Sequence, residues 1–355
     1  MGSIASILQR FKQNWAEELS TDAIAQACRD AGMKWYESAL NPVVTIQLFF
    51  VQVLHGNTAI EHLRHLTGMS FTAAAYCKAR MRAKREVLCL LLQRCVEQLH
   101  QEAFDTARWL GHRVFHVDGS SFSMPDTPSL QAHFGQPGQQ RPGCGFPVAH
   151  WLVMMHASTG MITQMLAAPL RTHDMSGVSE LHPELRAGDV LVADREFCSF
   201  AHLALLWQRG VHGLLRLHQR TIVDFTPGRP HVLSSQGKNE HKKGKPRSRW
   251  LKQLGPTDQL VQWFKPSDRP RWMTPEQYAE LPAAIMVREL RYTIHEKGFR
   301  PREITLVTTL LDDQRYALRD LASLFQQRWE IETNFGILKT TMKLDVLKCN
   351  TLPRN

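Results

Sequence analysis

Arg113 to Met124 reads RVFHVDGSSFSM. The texture of the chain changes at this stretch. Upstream, residues 1 to about 108 carry apolar residues at helical spacing with little proline, which predicts a helical block. From 113 the apolar residues crowd into short β-branched and aromatic runs, which predict strands. The first strand is expected to end at Asp118-Gly119, a turn signal. HWLVMMHAST from His150 and MITQMLAAPL from Met161 follow, joined by Thr159-Gly160 as a hairpin. His150 and His156 share one face of their strand and read as structural rather than ligating. GVSELHPEL predicts a helix, and DVLVAD a buried strand ending at Asp194. FAHLALLWQRG predicts a helix closed by Gly210, and HGLLRL another strand.

Three strands, helix, strand, helix, strand is the order of an α/β, ribonuclease-H-like mixed sheet with helices. The expected organisation is a helical N-terminal DNA-binding domain (1–108), then the first part of the core (109–217). A β-rich insertion (218–305) follows, then the second part of the core with a glutamate-bearing helix (306–355). Pro227, Gly228, Pro230, Ser234, Ser235 and Gly237 mark loop at the start of the insertion, and AAIMVRELRYTI and REITLVTTLL are strand-like.

Lysine and arginine total 43 against 33 acids, a net charge of +10. That surplus favours a polyanionic partner, nucleic acid ahead of an anionic membrane. The longest apolar run, VVTIQLFFVQVL, is short and broken by Gln47 and Gln52, so no membrane span is expected. The seven cysteines form no C-x-x-C pair, and Cys89 and Cys95 read as core thiols of a reduced, cytosolic chain. Two regions concentrate basic charge. In the first, Gly68 can stop one helix and Ser70 or Thr72 can cap the next, which carries Lys78, Arg80, Arg82, Lys84 and Arg85. This suits either a helix-turn-helix or a plain helical hairpin. In the second, GKNEHKKGKPRSRWLK sets Lys238, Lys242, Lys243, Lys245, Arg247, Arg249 and Lys252 against one acid, Glu240. Trp250, Trp263, Phe264 and Trp272 are interleaved or follow. Cations with exposed aromatics suit a strand-tracking surface, since one neutralises phosphate and the other stacks on bases. No Walker loop, G-x-G-x-x-G, H-E-x-x-H or zinc-finger spacing appears.

The stretch LFQQRWEIETNFGILK, Leu324 to Lys339, is read as one helix. At about 100° per residue, Phe325, Arg328, Glu332 and Lys339 share a face about 60° wide. Leu324, Ile331, Phe335, Leu338 and Met342 form an adjacent apolar stripe, and Glu330 lies across the helix. With Asp118 and Asp194 at strand ends, Glu332 completes three carboxylates. Three hard oxygen donors suit Mg²⁺, and two such ions can serve in-line phosphoryl displacement.

These residues resemble a DDE transposase of the bacterial insertion-sequence family 4, which has a ribonuclease-H-like catalytic core. That family carries a Tyr-x2-Arg-x3-Glu-x6-Lys signature, matched by Arg328, Glu332 and Lys339 with Phe325 in place of the tyrosine. DGSSFSMPDT and DREF resemble its first two aspartate regions, and the 138 residues from Asp194 to Glu332 leave room for its β-rich insertion. The resemblance covers about 110 to 350. It implies that Asp118, Asp194 and Glu332 are catalytic and bind two Mg²⁺, with Mn²⁺ substituting. It implies DNA contacts at Phe325, Arg328, Lys339 and Arg195, and in the insertion at Lys242, Lys243, Lys245, Arg247, Arg249 and Trp250. Hydrolysis would free a transposon 3′ hydroxyl that attacks another phosphodiester. The partners implied are double-stranded transposon-end DNA and target DNA, handled by a homodimer cutting each end in trans, in a bacterial cytoplasm and on the nucleoid. Relatives usually continue beyond the point matching Asn355. Three readings stand: an active transposase, a shortened inactive form that only binds DNA, or a structure-selective nuclease on the same core.

Overall fold

The computed structural model describes residues 19–102, 108–138, 141, 145–169, 174–232, 244–294, 302–342 and 346. The first described segment is helical: α1 (Thr21–Asp30), α2 (Pro42–Leu54), α3 (Ile60–Thr67), α4 (Ala73–Arg82) and α5 (Arg85–Glu102). Ser20, Asn41 and Thr72 cap three of these, each accepting from a backbone N–H three residues on. Gly68 ends α3 at φ +65°, a conformation open to glycine without strain. The helices close over two small apolar clusters, one around Ile24, Ile46 and Val87, the other around Leu63, Phe71 and Tyr76. Cys28 is buried in the first, whereas Cys89 is exposed and Cys95 only partly covered. Of the two expected core thiols, Cys95 packs at the edge of this cluster, whereas Cys89, about 240° around α5 from it, faces outward. No described helix is long and apolar enough to cross a membrane.

The remaining described elements run β1 (Val114–Ser123), α6 (Pro128–Phe134), β2 (Val148–His156), β3 (Ile162–Pro169), α7 (Asp174–Leu181), β4 (Val190–Ala193), α8 (Phe200–Gln208) and β5 (His212–Arg216). Then come β6 (Arg249–Gly255), β7 (Asp258–Phe264), α9 (Pro275–Glu280), β8 (Ala284–Ile294), β9 (Arg302–Thr308), α10 (Leu318–Gln326) and α11 (Trp329–Met342). The strands form one nine-stranded mixed sheet in the order β3-β2-β1-β4-β5-β9-β8-β7-β6. β1, β2 and β3 are an antiparallel meander, and β1, β4 and β5 are parallel. β9 pairs antiparallel to β5 and carries β8, β7 and β6 outward. The strands expected in the insertion thus extend the core sheet. Residue 305, the expected boundary, lies inside β9.

Alternation along the strands builds two apolar layers. Phe115, Val117, Leu191 and Ala193 face α7 and α8, meeting Val178, Leu181, Leu203 and Leu206. Val114, Val190, Val192 and Leu214 face the other way, against Leu321, Leu324 and Phe325 of α10. Phe122, Trp151 and Val153 lie on that second face and receive Ile331, Phe335 and Leu338 of α11. The stretch read as a single helix is therefore two. Gln327 and Arg328 form a turn between them, with Arg328 N–H donating to Phe325 O at 3.1 Å and Ile331 N–H to Arg328 O at 3.0 Å. These are bonds to the third residue back, tighter than α-helix. A continuous helix would lay Leu324 and Ile331 along one stripe. The turn lets them fill two separate parts of the sheet.

Candidate active site

The site begins with strand register. Val117 pairs with Ala193, and Ala193 with Leu215, across three parallel strands. The next residue on each is Asp118, Asp194 and Arg216. Alternation turns all three toward α10 and α11. Arg216 Nη1 stands 3.8 Å from Asp194 Oδ1. Asp118 does not end its strand: β1 continues to Ser123, with Asp118 still paired to Val153 of β2. Pairing with β2 satisfies the backbone past the point where β4 stops, so Asp118-Gly119 needs no turn. Asp118 Oδ1 accepts from Gly119 N–H at 2.8 Å.

The turn between α10 and α11 brings Arg328 onto these carboxylates. Its Nη1 donates to Asp118 Oδ2 at 2.9 Å and its Nη2 to Glu332 Oε1 at 3.1 Å. One planar guanidinium thus joins the first and third carboxylates of the expected set. The Arg328 side chain is 5% exposed and that of Glu332 45%. Arg328 Nε is buried without a partner. Glu332 sits in the first turn of α11, where a carboxylate is favoured by the helix dipole. Glu330 is exposed on the same helix. Phe325, expected among the DNA contacts, is 3% exposed in the core beneath α10. Lacking a hydroxyl, it packs as an apolar side chain, with its ring centroid 5.9 Å from the Arg328 guanidinium. Trp329 flanks the same guanidinium at 5.8 Å and is half exposed.

Burial pushes the Asp118 carboxyl up to about 6, against the pull of Arg328 and the Gly119 N–H, and Glu332 and Asp194 push the same way. His116 shares the face of Asp118, two residues earlier. Burial, then Arg328, holds it down at about 4 and hence neutral. Arg216 and His116 were not singled out from sequence. The register of β4 with β5, counted forward from Asp194, is the signal that reaches Arg216. His150 and His156 point to the opposite face, with the His156 ring edge-on to Phe115.

Among the described residues no three His, Cys, Asp or Glu side chains converge closely enough to hold a metal ion as they stand. The donor chemistry nonetheless suits a hard divalent cation. All three carboxylates offer oxygen, and Asp194 Oδ1 is buried with no hydrogen-bond partner.

The expected DNA contacts scatter. Arg195 opens a short 3₁₀ turn after Asp194 and is half-buried. Lys339 lies two turns beyond Glu332 on α11, partly exposed. Lys245 is partly exposed, Arg247 and Arg249 are exposed, and Trp250 on β6 donates to Gln253 at 3.4 Å. Lys242 and Lys243 lie outside the described residues. Trp263 and Trp272, read as stacking aromatics, pack against the main core instead. Trp263 Nε1 is held by buried Glu289 at 2.9 Å.

Residues 109–355 match the family model described as the transposase DDE domain. The chain is also 21% identical over 270 residues to the Transposase InsG for insertion sequence element IS4 of Escherichia coli (strain K12), an alignment covering 76% of this chain and 53% of that protein. It thus spans about half the length of the curated relative it matches. With a match over most of its length, the chain belongs to the transposase DDE domain family.

Proposed function

We propose that the protein is a DNA transposase that cleaves transposon ends and transfers the freed strand. The observation that supports this best is the register placing Asp118 and Asp194 side by side, under a helix that adds Glu332. The sheet order and the family match agree with a ribonuclease-H-like core. Asp118, Asp194 and Glu332 would hold divalent cations, two Mg²⁺ with Mn²⁺ able to substitute. Bound there, such ions supply Lewis-acid stabilisation of the attacking and leaving oxygens in an in-line displacement.

The protein's own residues have distinct tasks. Arg328 bridges Asp118 and Glu332 and offsets part of their negative charge. Arg195, next in sequence to Asp194, adds positive charge there, and Lys339 adds it two turns beyond Glu332 along α11. Arg216 steadies Asp194. The first step forms a bond from a water oxygen to the phosphorus and breaks the bond to the 3′ oxygen, freeing a 3′ hydroxyl. In the second, that hydroxyl attacks a target phosphodiester, and the target 3′ oxygen leaves. β6 lies five strands from β4, roughly 24 Å at the usual strand spacing. Arg247, Arg249 and Trp250 could therefore meet the same duplex within about one helical turn of the cut. A homodimer holding two ends completes the reading.

The test is incubation with duplexes carrying the terminal repeats that flank the gene, with Mg²⁺ or Mn²⁺. Nicking at the repeat end followed by strand transfer is expected. End-specific binding without cleavage under any divalent cation would leave a catalytically inactive form that only binds DNA. Cutting without end preference or strand transfer would leave a nuclease.

A further inference from the structure

Arg328 is seated unlike two other buried arginines, Arg288 and Arg229. Arg288 uses every guanidinium nitrogen: Nε and Nη2 donate to Asp258, and Nη1 to Tyr316 O at 2.7 Å. Arg229 does the same, with Nε on Asp224 O at 2.6 Å, Nη1 on Ser248 O at 2.6 Å and Nη2 on Ser248 Oγ at 2.8 Å. Their acid partners, Asp258 and Glu289, are as buried as they are. Arg328 has only Asp118 for Nη1 and Glu332 for Nη2, and nothing for the buried Nε. Its side chain meets no backbone carbonyl among the described residues, and its partner Glu332 is 45% exposed, so the seat is open on one side.

The difference has a chemical consequence. Backbone carbonyls belong to the fold and hold an arginine in place whatever binds nearby. Carboxylates are also ligands for hard cations, so an arginine held by them alone shares its partners. Asp118 and Glu332 each give an oxygen to Arg328, and a divalent cation on the same oxygens would stand against its positive charge. We infer that Arg328 closes the carboxylate site: Arg328 and a divalent cation exclude each other, and the guanidinium must turn out on the open Glu332 side before Asp118 and Glu332 can serve as ligands. A DNA phosphate at the mouth of the site stabilises the turned-out arginine. DNA and metal then raise each other's affinity by the same factor. The inference rests on the reading of Asp118, Asp194 and Glu332 as metal ligands, and adds that the site assembles fully only when both are present.

Mn²⁺ binding to the full chain without DNA, followed by loss of the free-ion EPR signal, tests this with no turnover. Arg328→Gln should bind Mn²⁺ about tenfold tighter than the parent chain, or more, as expected for a coupling of ordinary size. Lys339→Gln removes the same charge from α11 without freeing a carboxylate, and should change the affinity by less than about threefold. Asp118→Asn added to Arg328→Gln should abolish the gain, which ties the ion to this site. A second measurement uses the unmutated chain and so does not depend on a variant folding. Phenylglyoxal modifies accessible guanidinium groups. Arg328, 5% exposed, should be protected without metal, and saturating Mg²⁺ should raise its modification as read by mass spectrometry. Equal Mn²⁺ affinity in the parent and Arg328→Gln, or an Arg328 still protected under saturating Mg²⁺, would overturn the proposal and leave the transposase reading standing. If neither chain binds Mn²⁺, with or without an end duplex, both fall together.

Discussion

The two faces of the sheet use the same strands for opposite ends. On β1 and β4, Val117 and Ala193 face α7 and α8, and the next residues, Asp118 and Asp194, face α10 and α11. The α7–α8 face is dry. Two of its polar members are matched to each other: His182 and His202 stack with Nε2 atoms 3.1 Å apart, and His202 Nδ1 binds Phe197 O at 2.7 Å. The other face is covered by a helix pair broken at Gln327–Arg328, which lets one buried arginine reach two carboxylates. Apolar cover supports the sheet. Interrupted cover admits charge, and on our reading chemistry.

The largest expected effect belongs to the broken face. Glu332→Gln or Asp118→Asn should lower end cleavage by about 10³-fold or more, since several kcal/mol of transition-state stabilisation depend on the carboxylates. Glu330→Gln, two residues from Glu332, should cleave at the parent rate. Equal losses at Glu330 and Glu332 would contradict the assignment.

On the dry face the same kind of change should act on stability and not on chemistry. Leu203→Ala in α8 should cost about 2–5 kcal/mol in urea unfolding, with cleavage per folded molecule unchanged. Gly213→Ala on β5 is somewhat milder, about 1–3 kcal/mol, because the new methyl would meet Leu203 Cδ2 at 2.6 Å. A large fall in turnover from either would show that the two faces are not independent.

The histidine pair carries a pH signature of its own. Burial holds His182 at about 3 and His202 at about 4, below the ordinary 6.5. Depressed histidines contribute stability that is present above pH 6.5 and lost as pH falls toward 4. Between pH 7 and pH 5 each should account for about 2 kcal/mol of lost unfolding free energy. Replacing both with glutamine should flatten that dependence, and an unchanged slope would refute it. The smallest effect is expected at exposed Glu330, where the glutamine variant should shift stability by less than about 0.5 kcal/mol.

Much of this was legible in the residues. Gly68 and Thr72 announced a helix end and a cap, Thr159-Gly160 a hairpin, and the order of runs from Val114 to Arg216 a mixed sheet. Arg328, Glu332 and Lys339 shared one predicted helix face, but only together with Asp118, Asp194 and the family resemblance did they suggest a site. Other features were hidden. Asp118-Gly119 looked like a turn because local composition cannot show that β2 pairs past it. Phe325 looked like a surface position because one ideal helix was assumed through Gln327. Trp263 and Trp272 looked exposed because the loop around them is basic, yet both are claimed by the core.

Residue order settles what depends on near neighbours: where helices start and stop, which runs alternate, and how much charge the chain carries. These follow from backbone sterics, capping and side-chain period, which act over a few residues. Only the folded chain decides which aspartate stands beside which arginine. Arg216 meets Asp194 through strand register, and Arg328 meets Asp118 across 210 residues of chain. Such contacts are set by sheet pairing and by where two helices find apolar surface to cover, and neither is a property of any single stretch.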